Sequence, residues 1–279
     1  MGDTTKISWT NRTWNPWRGC TRVSPGCAHC YALARMDKLG FNPFTVTRTK
    51  TWADPLRWQA QAQAAGSQER VFTCSWSDWF HPDADAWRLE AWEIARRCPN
   101  LIFQILTKRP ELIPHRVPVE WTRYDRSTGF SLAYPNVWLG VSVENANFLH
   151  RMDSLRQIPA AVRFISAEPL LAPLGTLNLE GFHWVIVGGE SGPGFRPMDH
   201  AWAREIRDQC QREHVAFFFK QSAAIRTEMG TELDGREWKE YPLLTSPESR
   251  VSDLRSPMDS IGVHRSDPSP QSRQTPEAR

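Results

Sequence analysis

HWVIVGGES, residues 183–191, is the stretch whose reading decides the fold. Its core, Trp184 to Val187, is apolar at every position, so a strand here is buried on both faces. Strands of that kind sit inside parallel sheets, where helices cover the faces. Five further runs share the pattern: RVFTCSW (70–76), LIFQILT (101–107), VWLGVSV (137–143), VRFISAE (162–168) and VAFFFKQ (215–221), with FTVTRTK (44–50) a weaker candidate. Helical stripes lie between several of them. Trp87, Ala91, Ile94, Ala95 and Cys98 share one face of 83–98. Phe148, Met152 and Leu155 do so in 145–156. Trp202, Ile206 and Cys210 do so in 199–213, with Asp199 placed to cap. Strands alternating with helices imply βαβ crossovers. Six to eight such units predict an α/β fold, a partial or complete (β/α) barrel of parallel strands, with a doubly wound open sheet as the alternative.

The ends of these runs are polar: Ser75, Ser77 and Asp78; Thr107, Lys108 and Arg109; Ser142 and Glu144; Ser166 and Glu168; Glu190 and Ser191; Lys220 and Gln221. Parallel α/β folds build their sites at the carboxyl ends of the strands. A charged group at the end of a buried strand is costly unless paired or used. Together the ends predict a polar bowl on one face of the sheet. Gly188 and Gly189 admit a close backbone approach there, and Glu190 offers a carboxylate to a cation. The GGESGPG stretch is neither a Walker loop nor a G-x-G-x-x-G fingerprint.

Composition sets the compartment and hence the reading of the cysteines. No apolar run approaches the eighteen or so residues of a membrane span, and the first thirty residues lack the apolar core of a secretion signal. The expected location is the cytoplasm, without membrane association. A net charge of +3 is too small to imply nucleic acid on its own. Disulfides are rare in the cytoplasm, so three clustered cysteines point to metal or redox chemistry. They are Cys20, Cys27 and Cys30, in GCTRVSPGCAHCYA (19–32). Cys98 and Cys210 fall on apolar helix faces and read as inert buried thiols. Zinc would need a fourth ligand, His29 or Cys74, and would suit a nucleic-acid- or partner-binding module. A C-x2-C exchange site leaves Cys20 unexplained. A [4Fe–4S] cluster uses all three thiolates and leaves one iron open; SPG (24–26) would turn Cys20 back toward the pair.

Residues 1–30 show no clear periodic element, and the chain from Ser246 is rich in Ser, Pro and Arg. The expected organisation is one domain, 1–245, with the cysteine loop at 19–31, and a disordered tail, 246–279.

Seven blocks in order carry a wider resemblance: ISWTNRTWNPWRGCTRVSPGCAHCYA, SWSDWFHPD, FQILTKRPE, NVWLGVSVEN, RFISAEPLL, VIVGGESGPGFRPM and FFFKQ. From about Ile7 to Gln221 the chain resembles the phage Gp37/Gp68 family, a domain of unknown function (DUF5131) also called the three-Cys-motif family. The resemblance implies a radical-SAM-type barrel with the cluster loop near the first strand's carboxyl end. It implies a [4Fe–4S] cluster on Cys20, Cys27 and Cys30, and S-adenosylmethionine (SAM) on the open iron, cleaved for hydrogen abstraction. Cys27-x2-Cys30-Tyr31 matches the second half of the C-x3-C-x2-C motif with its following aromatic, whereas six residues separate Cys20 from Cys27. A GGE-like motif binds the SAM amino group in that class but normally follows the strand after the cluster loop; here it lies at 188–190.

The expected cofactor-binding set is Tyr31, Ser75, Lys108, Ser142, Glu144, Gly188, Gly189 and Glu190, with Glu168 and Lys220 as the catalytic pair. Implied partners are SAM, a nucleic-acid or nucleotide substrate, a three-Cys-motif partner protein, and an electron donor of flavodoxin or ferredoxin type. Arg12, Arg18, Arg22 and Arg35 with their neighbouring tryptophans are the candidate nucleic-acid surface, against the alternative of plain solvated arginines.

Overall fold

Seven parallel strands follow one another across a single sheet in the computed structural model, in the order of the chain. They are β1 (Arg12–Trp14), β2 (Glu69–Thr73), β3 (Leu101–Thr107), β4 (Val137–Ser142), β5 (Val162–Ala167), β6 (Trp184–Gly188) and β7 (Ala216–Gln221). The structure describes residues 5–126 and 131–243. The expected tail, 246–279, lies outside the described residues.

Sequential order decides between the two expected architectures. A doubly wound sheet reverses its order at a switch point. This one never reverses, and four of its five helices gather on one face. The sheet is a partial (β/α) barrel, half curled and open between β1 and β7. The helices are α1 (Tyr31–Lys38), α2 (Asp54–Ala64), α3 (Asp85–Arg96), α4 (His150–Arg156) and α5 (His200–Arg212).

Alternation along the strands sorts the two faces. Val71, Phe103, Ile105, Leu139, Ile165, Val185 and Phe217 point outward and pack under Trp58, Trp92, Ile94, Met152, Leu155 and Ile206 of the helices. Between β5 and β6 no helix forms; Leu170, Leu174, Leu177, Leu179 and Phe182 cover the outer face instead. The inward residues Phe72, Ile102, Trp138, Val162, Phe164, Trp184, Ile186 and Phe218 form a second cluster with Trp9. It fills the amino-terminal end of the lumen, where Trp9 lies 4.6 Å from Phe72 and 6.0 Å from Trp184, ring centre to ring centre.

All six apolar runs are strands, and 199–213 is a helix whose Asp199 carboxylate accepts from the Ala201 N–H at 2.8 Å. Residues 1–30 hold more than expected. β1 is only three residues long, two of them polar, and its pairing with β2 (Thr13 opposite Phe72) is a tertiary feature no local pattern displays. FTVTRTK contributes only Thr47–Arg48, paired antiparallel with Trp17–Arg18 outside the main sheet. Helices α1 and α2 have no counterpart among the expected elements. In α2 the buried stripe is Pro55, Trp58, Gln59 and Ala62, too polar to stand out.

The amino-terminal tryptophans do not form a surface. Trp9, Trp14 and Trp17 are buried, and Arg12 pairs with Glu69. Among the described residues no helix is long and apolar enough to cross a membrane.

Candidate cofactor site at the barrel mouth

The cysteine loop grows directly out of β1, over the carboxyl ends of the strands. Asn15, the first residue past β1, donates from Nδ2 to Ser75 Oγ (3.0 Å) and accepts the Trp76 N–H (2.9 Å), locking the exits of β1 and β2 together. The Gly19 N–H then donates to the Trp76 carbonyl (3.1 Å), and the Cys20 N–H to the Pro43 carbonyl (3.0 Å). Pro25–Cys27 make one 3-10 turn, and Cys30 caps α1 with extended backbone. The six-residue spacer between Cys20 and Cys27 is spent on this detour. Cys20 returns to the same place as Cys30: both lie against Ala32, Leu33 and Met36 with Trp76. Cys20, Cys27 and Cys30 are half-buried, while Cys74, Cys98 and Cys210 are buried.

Two carboxylates hold the loop from below. Glu144, its side chain fully buried, is gripped by Lys108 and by Arg151 Nη1 (2.9 Å) and accepts the Ser24 hydroxyl. A Cβ at Gly26 would sit 2.5 Å from the Glu144 carboxylate, so only glycine fits above it. Burial opposes ionisation of Glu144, but Lys108, Ser24 and Arg151 outweigh it and hold the pKa below the usual value. Glu190 is the second post. Arg196 binds it through its guanidinium and, at 2.9 Å, its backbone N–H; His29 Nδ1 lies 2.9 Å from Oε2. Arg196 also donates to the Pro25 carbonyl (3.1 Å). Burial would raise the Glu190 pKa; the Arg196 and His29 contacts reverse that and hold it at about 2.

The Cys20 arm has its own support. The buried Arg109 guanidinium donates to Asp78 Oδ2 (3.0 Å), to the Thr21 carbonyl (2.9 Å) and hydroxyl (2.7 Å), and lies 3.8 Å from Cys20 Sγ. Asp78 also accepts from the Phe80 N–H, Thr107 Oγ1 and the Lys108 N–H. Burial pushes the Cys20 thiol up to about 12, Asp78 adds to this, and Arg109 opposes it.

Below the loop, the upper lumen is polar. Ser142 and Ser166 stand opposite each other on β4 and β5. Lys220 Nζ reaches Glu168 Oε2 at 2.7 Å, and Glu168 passes over Gly188. Tyr31 donates to the Ser75 carbonyl (3.0 Å). Two buried atoms here have no partner, Ser166 Oγ and Glu168 Oε1, and below them both ends of the Gln104 amide, level with Phe72 and Trp138, also lack one. Each such group costs about 1–3 kcal/mol if left unpaired, which makes this the natural seat of a polar ligand.

The sequence-predicted residues therefore divide. Ser142, Glu168, Gly188 and Lys220 face the lumen. Tyr31 and Ser75 join the cysteine loop to β2. Lys108, Glu144 and Glu190 are engaged in holding the loop. The space beside Gly189 is filled by the Ser222–Ala223 backbone, so chain packing requires that glycine. Asp78 and Arg109 belong to the polar strand ends but not to the expected site set. Arg151, Arg196 and Gln104 escape the sequence pattern; only Gln104 carries a signal, as the one amide in the apolar run LIFQILT.

A three-thiol donor set with an apolar bed under Cys20 and Cys30 and an N–H donor near Cys20 fits a thiolate-held iron–sulfur cluster. Among the described residues no three His, Cys, Asp or Glu side chains converge as around a single ion. A cluster spaces its ligands more widely than one ion does. Of the two candidate fourth ligands for zinc, His29 is bound to Glu190 and Cys74 packs in the helix-side core.

Fold and site together define a partial (β/α) barrel carrying a three-cysteine loop over its mouth. The model of a family described as "Protein of unknown function (DUF5131)" matches residues 4–242. The chain belongs to that family. No curated protein matches it. Two solved structures of spore photoproduct lyase share 13% sequence identity with it. One, a double mutant with bound AdoMet and dinucleoside spore photoproduct, has a TM-score of 0.41 and covers 75% of this chain and 63% of its own. The other, complexed with dinucleoside spore photoproduct, has a TM-score of 0.39 and covers 70% of this chain and 59% of its own.

Proposed function

We propose that this protein is a radical SAM-type iron–sulfur enzyme. The observation that carries the reading is the cysteine loop itself: three half-buried thiols above the carboxyl ends of a parallel barrel, with Cys20 and Cys30 on one apolar bed despite the long spacer. Cys20, Cys27 and Cys30 would hold a [4Fe–4S] cluster through three irons. SAM would lie beneath it, among Ser142, Ser166, Gly188 and Gln104. The chemistry this pair supplies when bound is reductive cleavage of SAM to methionine and a 5′-deoxyadenosyl radical, which removes a hydrogen atom from substrate.

The chain's own residues supply position and exclusion of water. Glu144 and Glu190 fix the height of the loop over the lumen. Arg109 donates toward Cys20 and compensates thiolate charge on that arm alone. Lys220 and Glu168 neutralise each other across the lumen and present a cation and an unpaired Oε1 to a polar substrate. The aromatic floor of Trp9, Trp138, Phe164, Trp184 and Phe218 seals the far end. A separate electron donor of flavodoxin or ferredoxin type and a three-Cys-motif partner protein belong to the same reading.

Anaerobic reconstitution with iron and sulfide tests it. The expected protein is brown, holds about four irons and four sulfides, changes its spectrum on adding SAM, and yields 5′-deoxyadenosine with dithionite. A protein that takes one zinc and no sulfide would overturn it in favour of a binding module.

A further inference from the structure

Beside the cysteine loop lies a groove of about 730 Å³ between α1 and the Ser191–Pro193 turn. Its walls include Arg22, Arg35, Lys38, Phe44 and Tyr31, and Cys30 stands at its inner edge. Besides Tyr31, two rings near it are exposed, Phe41 at 37% and Phe44 at 48%. Both phenylalanines carry a guanidinium: Arg18 lies 3.7 Å from the Phe41 ring centre and Arg22 5.6 Å from that of Phe44. Among the described residues none of Arg18, Arg22, Arg35 and Lys38 has a carboxylate partner. Some surface arginines elsewhere are paired, as in Arg48–Glu90, Arg116–Asp85 and Arg204–Asp234, and the distinction of this groove is that four unpaired cations gather beside exposed rings. Four cations against one acid, Asp37, equal the net charge of the whole chain, +3.

We propose that this groove binds single-stranded nucleic acid and delivers it to the barrel mouth. The proposal deepens the enzymatic reading by naming its substrate class, and rests on that reading only for the chemistry after binding. Exposed rings flanked by unpaired guanidiniums are stacking platforms along a positive track, the two elements that single strands require. An acidic protein surface would use the charge but has no need of exposed rings. A duplex offers no free base faces to stack. The groove's volume suits a few rings, and a strand in it passes Cys30 and Tyr31 on its way to Ser75.

The experiment is fluorescence anisotropy with the full-length protein as purified and a fluorescein-labelled deoxythymidine oligomer of about twelve residues, alone and as a duplex. Expected is single-strand binding that weakens linearly with salt on logarithmic axes, by roughly 0.7 per phosphate contacted. Combining Arg22→Glu, Arg35→Glu and Lys38→Glu should weaken binding more than tenfold and flatten that slope. Phe44→Ala should cost about tenfold. Arg212→Glu, the same charge change on α5, should change little. Wild-type melting temperatures in these surface variants show that they fold, and the combined Arg22→Lys, Arg35→Lys, Lys38→Arg variant should restore binding. No binding, a preference for duplex, capture of an acidic flavodoxin in place of the oligomer, or indifference to the charge reversals would each overturn the proposal. Cluster content is read separately: oligonucleotide binding by a protein that takes no iron would sink the radical reading and leave this one standing.

Discussion

The concave face of the sheet carries two unlike surfaces on the same strands. At the amino-terminal end, Trp9, Phe72, Trp138, Phe164, Trp184 and Phe218 interlock; Trp184 alone meets Trp9, Trp138, Phe164, Phe218 and Tyr241 at ring-centre distances of 5.3–6.1 Å. At the carboxyl end the same alternation presents Ser142, Ser166, Glu168, Gly188 and Lys220. Gly140 marks the border, where the Phe164 ring occupies the position a Cβ would take. Nearly every apolar contact of the lumen is thus placed below that border, and the orphaned Ser166 and Glu168 atoms lie above it. The lower half is a core that holds the curl of the sheet. Trp9 and Trp138 leave indole N–H groups unpartnered in the lower half too, but only the upper half sets its unpartnered oxygens among other polar side chains, which is the condition for binding a polar ligand.

If the halves have separate duties, mutations should separate stability from cofactor. The largest effect belongs to the loop. Cys20→Ala, Cys27→Ala and Cys30→Ala should each abolish the brown chromophore after reconstitution, while Cys98→Ala and Cys210→Ala keep it; a full cluster on the Cys20 variant would remove Cys20 from the ligand set. Next comes the floor. Trp184→Ala should cost about 3–5 kcal/mol in urea unfolding, yet the fraction that remains folded should load iron normally. Loss of iron from that folded fraction would mean the two halves are coupled.

Most of the fold was legible because the six long strands are apolar on both faces, a pattern with few alternatives. β1 was not: Arg12–Trp14 becomes a strand only by docking on Val71–Thr73. The loop's cysteines could be found by counting thiols, but their supports could not. Arg151 lies in the helical stretch 145–156 and Arg196 in the block VIVGGESGPGFRPM, but neither pattern shows what they hold, and their partners Glu144 and Glu190 read as free site carboxylates because a sequence shows no ion pairs. Nor does a sequence show what lies beside the glycine pair at 188–189: one faces Glu168 and the other admits the backbone of a neighbouring loop.

Removing a loop support should give intermediate effects. Arg109→Gln leaves Asp78 buried with three other donors and should cost about 3 kcal/mol. It should leave iron content intact while moving the cluster to a more negative potential, because it removes a donor directed at Cys20; an unchanged potential would make Arg109 purely structural. The Glu190 post predicts a pH signature. Its pKa is lowered in the folded protein, so its contribution to stability is present above the ordinary value of 4.5 and is lost as pH falls toward about 2. Wild type should be more stable than Glu190→Gln at pH 6, and the gap should close across that window. A gap that stays constant would assign the difference to packing.

The smallest change is also the most discriminating, because its sign differs between the halves. Gln104 is fully buried, stands opposite Phe72 and Trp138 in the strand register, and has no partner at either end of its amide. If it belongs to the floor, it is a defect, and Gln104→Leu should raise stability by about 1–3 kcal/mol through removal of an unsatisfied polar group, with no effect on SAM. If it belongs to the mouth, the same variant should gain that stability without ligand but lose the SAM-induced spectral change, because a bound polar group is what completes the amide. Urea unfolding without SAM and titration of the reconstituted protein with SAM read the two arms separately. A Gln104→Leu protein that is both more stable and fully SAM-responsive would keep Gln104 in the floor and confine the ligand space to Ser142, Ser166, Glu168 and Lys220.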